Sequence, residues 1–488
     1  MKNKKIIIAL LSLLIVSVII FSQSLQNKFT NWDDPEYVTR NSDLEDGSVK
    51  GLWRIATSFY NANYHPITML SYWLQYRFFT LNPTGYHAIS IILHIINCLL
   101  AFWFILLISN SLIAAWVAAI LFAIHPAHVE SVAWISGQKG LIYSLFFLLA
   151  LICYIYYLKN NRKVFYYSGL ISFFFSLLSK VMAITLPVIL FLIDFHFKRR
   201  PNKKIFFEKL PFIQLALIGA IIGFLAQHDG GAIISSSLFT FWRRISLVSY
   251  ALLFQLKKIF WPFHLSSQYP FPKAAELQSP LFNLSPPLVL ILVIFLIVSL
   301  RYTRKIFFAG FFFLICLLPV IKIIPFGNFI AADRYSYMSG LGLFYLVGEC
   351  CRWVNFRLQR QRHFRRFLFN LSIGIGIIFL SVLSWQRCSV WKDSFSLWGD
   401  VIRQYPEYPI AYNNRGCAYL DAGAYEQAIT DFNQAIMITP KYITAYLNRA
   451  RAFVLKGEFT KARAEYERVL GIDPDNLPAQ VNLMRMLR

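Results

Sequence analysis

Runs of 16 to 21 mostly apolar residues recur along this chain through residue 387, and few folds can take them. Each run is long enough to cross the ~30 Å hydrocarbon core of a bilayer. No water reaches the backbone there, so a span must satisfy its own amides, and runs of this length do so as helices. Composition agrees: 57% of the 488 residues are hydrophobic and 15% are charged, too few for a soluble chain of this size. After residue 388 the sequence turns mixed and polar. The expected fold is all-α, with a polytopic helical membrane domain over 1–387 and a separate domain over 388–488.

The formal net charge of +24 does not point to nucleic acid, because the Lys and Arg residues sit in short loops. These are Lys2, Lys4 and Lys5; Lys159, Arg162 and Lys163; 198–204; Arg301, Arg304 and Lys305; and 352–366. Basic loops resist translocation and stay cytoplasmic, with anionic membrane lipids as their neighbours. With the N-terminus inside, spans fall near 6–22, 87–108, 112–127, 141–158, 164–179, 181–197, 208–226, 286–300, 306–324, 335–351 and 367–386. Residues 245–261 are apolar but carry Lys257 and Lys258, which are costly in mid-span. They are expected to form an interfacial or re-entrant helix. That gives eleven crossings with the C-terminus outside. The first apolar run is long for a signal peptide and no A-x-A site follows, so it reads as an uncleaved span. The seven cysteines show no CxxC and no disulfide framework.

The polar tail is a repeat. Pro406, Pro440 and Pro474 are 34 residues apart, as are Ala411, Ala445 and Ala479. Tyr412 aligns with Tyr446, Tyr419 with Phe453, Gly423 with Gly457, Ala428 with Ala462, and Phe432 with Tyr466. Small and aromatic residues at these offsets interlock paired helices, and the period is that of tetratricopeptide repeats. Two full repeats are expected at 409–442 and 443–476, after a half-repeat at 394–408 and before a closing helix at 477–488. Such a short α-solenoid offers a concave face to an extended peptide. Tyr412, Asn413, Arg415, Tyr446, Asn448 and Arg449 are the residues expected to bind an acceptor there.

Four polar motifs lie at the outer ends of the expected spans: "NWDDPEYV" (31–38), "NYHPITMLSYWL" (63–74), "HPAHVESVAWISGQKG" (125–140) and "AADRYSYMSG" (331–340). Together they bring carboxylates (Asp33, Asp34, Glu130, Asp333), imidazoles (His65, His125, His128) and cations (Lys139, Arg334) to one face. That mixture suits transfer of a group away from phosphate. Cations offset the charge the phosphate gains as its bond breaks, and a carboxylate removes the proton of the incoming hydroxyl. Each motif also has a plainer use. An Asp pair before a proline can form a turn, an arginine can snorkel to the interface, and two histidines at i, i+3 lack a third metal ligand.

The order of these parts resembles the transmembrane and tetratricopeptide-repeat O-mannosyltransferases and their bacterial relatives, of the GT-C glycosyltransferase class. The resemblance runs from the acidic pair after the first span through "YHPITMLSYWLQYRFFTLNPTGYHAISIILHIIN" (64–97), "HPAHVESVAWISGQKG", "RRISLVSYALLFQLKKIFWPFHLSSQYPFP" (243–272) and "ADRYSYMSG" to the repeats. It implies a membrane enzyme that moves a sugar, a hexose such as mannose, from a polyprenyl-phosphate carrier to a protein hydroxyl at the outer face. By the same resemblance Asp33 or Asp34 supplies the catalytic base, Glu130 is the acidic position of the second outer loop, and Arg334 binds the carrier phosphate with Lys139, His65 and His125. The chain departs from the pattern in having His65 and "GQKG" where relatives often carry Arg, and in its short repeat array. A prokaryotic plasma membrane is the expected location. No cofactor is indicated, no metal ligands are assigned, and the need for Mg or Mn stays open. The competing reading is a non-catalytic membrane scaffold that recruits partners through its repeats. A transporter would show internal repeat symmetry among its spans and charges near the midplane, and neither is present in the sequence.

Overall fold

The computed structural model describes residues 2–231, 241–272, 279–321, 323, 329–358 and 363–486. The chain divides into two compact units: Met1–Asn27 with Glu36–Ser389, and Lys28–Pro35 with Val390–Arg488.

In the first unit, α1 (Lys2–Phe21) is followed by α2 (Val49–Thr57) and α3 (Pro66–Phe79). Next comes α4 (Pro83–Ser109). It opens on Asn82, whose side chain accepts from the Thr84 N–H at 3.1 Å, with Pro83 at the first helical position. It closes on Asn110 in the left-handed conformation. After it come α5 (Leu112–Ile124), α6 (Val129–Ala133), α7 (Gln138–Asn160), α8 (Lys163–Ser179), α9 (Leu186–His196) and α10 (Lys203–Asp229). The unit continues with α11 (Phe241–Phe260), α12 (Pro280–Val298), α13 (Arg304–Leu317), α14 (Ser336–Leu358) and α15 (His363–Cys388).

Every expected span coincides with one of these helices, but they differ in reach. Six segments are long and apolar enough to cross a membrane: Asn3–Gln26, Pro83–Ser109, Ile135–Asn160, Lys203–Asp229, Pro280–Arg301 and His363–Trp391. A seventh is counted if Leu112–Ile124 and Pro126–Ala133, which meet at a 56° bend, form one span. Pro126 disfavours the helical conformation at His125, which breaks the path there. Only 6% of the most apolar stretch of His363–Trp391 is buried, so its sides need lipid. The chain is a membrane protein. The 14 residues of α13 rise only about 21 Å, and α8 and α9 are likewise short. The segment with Lys257 and Lys258 is helical and is not among the spans. The Lys258 ammonium is buried and donates to the carbonyls of Phe263 (2.9 Å) and His264 (2.6 Å). Parts of the expected outer loops (232–240, 273–278, 324–328), of the 352–366 basic loop (359–362) and of the closing helix (487–488) lie outside the described residues.

The core of this unit is built on alanine. Ala114, Ala115, Ala118, Ala119 and Ala123 of α5 are wholly buried, which lets neighbouring backbones approach closely. A side chain at Gly348 of α14 would come within 2.4 Å of the Ala114 carbonyl oxygen, so only glycine fits. A two-stranded antiparallel sheet pairs β1 (Tyr269–Pro270) with β2 (Phe329–Ala331), Tyr269 opposite Ala331. It delivers the chain into the Asp333–Tyr335 turn.

The second unit starts with α16 (Ser394–Gln404) and continues as two helical hairpins, α17 (Pro409–Asp421) with α18 (Tyr425–Ile438) and α19 (Ile443–Leu455) with α20 (Phe459–Ile472), then α21 (Leu477–Met486). The hairpin turns use Gly423 and Gly457, one period apart, at φ of 75° and 78°. Any other L-residue would be strained there. Residues 28–35, which the sequence assigns to the membrane part, pack into this unit. Trp32 stacks on Trp391 at 6.0 Å, and the Asn31 amide donates to the Asn414 carbonyl at 2.7 Å.

Candidate active site

Three of the polar motifs, those around His65, Glu130 with Lys139, and Arg334, meet in the first unit around Trp134. This indole follows α6, just ahead of the turn that opens α7. Lys139, in the first turn of α7, brings its ammonium to 5.3 Å from the Trp134 ring. Arg334, in the turn after β2, brings its guanidinium to 5.3 Å from the same ring. Cations favour an aromatic face because of its quadrupole, so one indole seats two positive charges. Glu130 of α6 holds Arg334 in place: one carboxylate oxygen accepts from the Arg334 backbone N–H at 2.9 Å and the other pairs with the guanidinium. The Glu130 side chain is 2% exposed and that of Arg334 is 12% exposed. Both Glu130 oxygens are thus occupied by Arg334, which makes Glu130 a positioning residue for that cation.

Two more groups complete the cluster. Lys180, between α8 and the short turn that leads into α9, lies within electrostatic reach of Arg334, Lys139 and Glu130. Its ammonium has no hydrogen-bond or ion-pair partner among the described residues. Burial, then the charges of Arg334 and Lys139, push it well below the usual lysine range. His65 caps α3 and is 2% exposed, edge-on to Tyr37 at 5.1 Å between ring centres. Burial, then Lys139 and Lys180, push its imidazole down to about 3. His65 therefore stays neutral at physiological pH and cannot act as a cation, although its Nε2 is buried without a partner among the described residues. Tyr37 ties the cluster together, its ring 4.5 Å from the Lys139 ammonium and its hydroxyl 3.3 Å from it. A cleft of about 20 Å³ is lined by His65, Lys139, Lys180 and Gly223. That is room for about one water, so a phosphate enters only if these side chains move apart.

The remaining motif residues have other tasks. Asp333 accepts from the Tyr269 hydroxyl at 2.6 Å, a pairing set up by the β1–β2 register. Burial and the nearby Glu130 charge raise its carboxyl above the usual range. The ring nitrogens of His125 meet the Ile259 carbonyl (2.9 Å) and the Ala127 N–H (3.3 Å), so the side chain pins the α5 break to α11. The His128 Nδ1 meets the Phe122 carbonyl at 2.8 Å. Among the described residues no three His, Cys, Asp or Glu side chains group so as to hold a metal.

Asp33 and Asp34 belong to the second unit. Asp33 has a left-handed backbone (φ 61°), which aspartate tolerates better than most residues. The Asp34 carboxylate accepts from the Thr30 N–H (2.8 Å) and hydroxyl (3.0 Å), closing a turn. In the repeats, Arg415 makes a two-pronged pair with Asp431 (2.7 and 2.8 Å) and Arg449 pairs with Glu465 (2.5 Å), one period on. These arginines also lie over Tyr412 and Tyr446. Asn413 accepts from the Asn448 amide at 2.9 Å. The expected acceptor-binding residues are thus largely engaged with one another.

Comparison with known proteins follows the same division. Residues 419–487 match the tetratricopeptide repeat family. The chain is 25% identical over 456 residues to the protein O-mannosyl-transferase F38B6.6 of Caenorhabditis elegans, covering 88% of this chain and 62% of that protein. The chain is thus similar to a protein named as a protein O-mannosyl-transferase. The human relative TMTC4 is 29% identical over 170 residues, which is 30% of this chain and 23% of that protein. The chain spans less than two thirds of the length of either relative. Among solved structures, an Archaeoglobus fulgidus oligosaccharyltransferase aligns with a TM-score of 0.44 and 14% identity, over 78% of this chain and 55% of that one.

Motif reading missed three contributors to the cluster: Lys180, Trp134 and Tyr37. Trp134 and Tyr37 lay within quoted motifs, but an aromatic there reads as core. Lys180 stood between two apolar helices with no motif around it. A lysine at a span boundary was its only signal.

Proposed function

We propose that the chain is an integral membrane glycosyltransferase of the GT-C class that moves a hexose from a polyprenyl-phosphate donor to a hydroxyl of a protein. The observation that carries this reading is the joint seating of Arg334 and Lys139 on Trp134 beside Lys180, with Glu130 fixing the arginine. The names of the relatives support the same chemistry. The acceptor oxygen attacks the anomeric carbon from the face opposite the phosphate and the sugar–phosphate C–O bond breaks, so the configuration inverts. The hydroxyl proton passes to a carboxylate, and the polyprenyl phosphate leaves with one more negative charge. Arg334, Lys139 and Lys180 stabilise that charge as it develops, while neutral His65 serves as a hydrogen-bonding group. The resemblance assigns the base to Asp33 or Asp34. We place the cluster on the outer face of a prokaryotic plasma membrane with the basic loops inside and the repeats extracytoplasmic.

The test is transfer of radiolabelled sugar from polyprenyl phosphate to an acceptor peptide by membranes containing the full chain. Arg334→Ala is expected to abolish transfer while the chain still accumulates. Asp33→Asn or Asp34→Asn, whichever removes the base, should do the same. Parental transfer with Arg334→Ala would overturn the reading of the cation cluster. Parental transfer in both aspartate variants would overturn the base assignment alone.

A further inference from the structure

The 243–272 and 331–340 motifs meet away from Trp134, and no step of the transfer reading uses their meeting. In α11 the Gln255 carboxamide donates to the Ala332 carbonyl at 2.8 Å. Beyond α11 the Lys258 ammonium holds the Phe263 and His264 carbonyls, and His264 takes a left-handed backbone (φ 51°), so the loop stays against its own helix. That loop ends in β1, where Tyr269 pairs with Ala331. The Tyr269 ring stands edge-on to Phe254, 4.7 Å between ring centres. Its hydroxyl accepts from the Ser266 N–H at 2.9 Å and donates to the Asp333 carboxylate at 2.6 Å. The Asp333 carbonyl then accepts from the Ser336 hydroxyl, at the start of α14, at 2.6 Å. Gln255, Tyr269, Ala332 and Asp333 are each 3% exposed or less, so bulk water does not compete for these bonds.

Arg334 is the residue that follows this clamp. An arginine side chain carries about 2 kcal/mol of rotamer entropy, so aiming the guanidinium takes a grip at both ends. Glu130 grips the guanidinium. The strand pairing and the Tyr269–Asp333 bond fix the backbone from which it hangs. We infer, on the reading of Arg334 as the cation that meets the departing phosphate, that Tyr269 and Asp333 are positioning residues for Arg334. Through them α11 sets where the guanidinium stands before a ligand arrives. A donor aimed in advance at developing charge spends nothing on reorganisation during the reaction, and a displacement of about 1 Å can cost roughly a hundredfold in rate. Asp333 serves here as a hydrogen-bond acceptor and not as an acid or base. A neutral acceptor of the same shape therefore serves as well, and an apolar side chain does not.

The experiment measures kcat and KM, per folded molecule, for transfer of radiolabelled sugar from polyprenyl phosphate to an acceptor peptide by membranes containing the full chain. Tyr269→Phe keeps the ring against Phe254 and removes the hydroxyl. Its kcat is expected to fall roughly ten- to a hundredfold, with the KM for the peptide unchanged. Asp333→Leu should lose as much. Asp333→Asn, whose carboxamide oxygen still accepts from Tyr269, should keep most of the parental kcat. Arg334→Lys puts a point charge on a flexible stem in place of a planar fork. In that background Tyr269→Phe should cost no more than about threefold, because the two positions are coupled. Where Tyr269→Phe does not accumulate, Gln255→Met, which leaves the Ala332 carbonyl without this donor, carries the same comparison with a smaller loss. Parental kcat in Tyr269→Phe, while Arg334→Ala has lost transfer, would overturn the inference and leave the transfer reading standing. Parental transfer in Arg334→Ala would overturn both. An equal fold-loss from Tyr269→Phe in the parental and Arg334→Lys backgrounds would also overturn it, by showing that the hydroxyl supports the fold and does not act through Arg334. So would an Asp333→Asn variant as damaged as Asp333→Leu.

Discussion

Two clusters of buried charge in the membrane unit use the same residue types to opposite ends. Where α9 meets α10, Lys209 and Arg199 face Asp194 and Glu208. Lys209 is wholly buried and bonded to Asp194, while Arg199 reaches Asp194 at 3.0 Å and Glu208 at 2.9 Å. The hydroxyls of Tyr154 (2.8 Å) and Tyr157 (3.2 Å) fill remaining acceptor sites on the two acids. Positive and negative charges match and the donors are spent. At Trp134, Arg334 and Lys139 share one ring, Lys180 is held close by without a partner of its own among the described residues, and Glu130 commits both oxygens to Arg334. A balanced network locks helices together. A cluster in which cations crowd one another is held under repulsion, which an anion placed among them would relieve.

The sharpest way to break this comparison starts with the balanced network. Lys209→Met leaves Asp194 buried without its ammonium, and breaking a buried pair of this kind costs about 3–5 kcal/mol. The melting temperature in detergent should fall steeply, while transfer per folded molecule stays at the parental level. Arg334→Ala should lower transfer per folded molecule roughly a hundred- to a thousandfold, as loss of one charge-stabilising donor does elsewhere. It also leaves the buried Glu130 carboxylate without its guanidinium, so melting falls as well. If Lys209→Met lowers transfer per folded molecule as much as Arg334→Ala does, the two clusters are the same kind of object and the distinction fails. Lys180→Ala is a smaller step. It removes one of three cations and also relieves repulsion, so we expect transfer to fall by about tenfold and the melting temperature to rise slightly. A fall in melting temperature would show that Lys180 is structural.

The two clusters also differ in how legible they were. Helix identity and order could be read from apolar run length, and each expected span met a helix, because a membrane leaves the backbone no other choice. How many helices have the length to cross was harder to read, since side-chain composition does not reveal where α13 stops after 14 residues. Glu130, Lys139 and Arg334 stood out because charges beside long apolar runs are costly. Lys180 did not, because its importance comes from packing that brings α8, α7 and the Asp333–Tyr335 turn together. Nor could the sequence show that residues 28–35 pack with the repeats, since the Trp32–Trp391 stack joins residues more than 350 positions apart.

In the second unit the comparison can be tested at Arg415. Its pair with Asp431 repeats one period on as Arg449 with Glu465, which marks a structural device rather than a ligand site. Arg415→Ala should cost about 1.5–3 kcal/mol, the range for hydrogen bonds to charged groups, reduced by the partial exposure of the arginine. Limited proteolysis of the full chain should show faster cleavage within 409–442. Unchanged proteolysis would show that the pair does not hold the repeat together.

His65 gives the smallest effect, and its sign separates a neutral group from a cation. Its folded-state pKa, about 3, lies below the ~6.5 of an unfolded histidine. The unfolded chain therefore takes up a proton that the folded chain refuses. The stability His65 contributes is complete above pH ~6.5 and is lost as the pH falls toward 3. At pH 6 the loss is just under about 1 kcal/mol and at pH 5 about 2 kcal/mol. His65→Gln cannot take up that proton, so its melting temperature should fall less than the parent's between pH 8 and pH 5. Other buried histidines titrate in the same window, but they do so in both proteins and cancel in the difference. A neutral His65 also predicts that His65→Gln keeps most transfer activity at pH 7, because a carboxamide can replace one hydrogen bond. If His65→Gln instead loses as much transfer as Arg334→Ala, with the same pH dependence of melting as the parent, His65 is protonated in the folded protein. The cluster would then hold four cations rather than three.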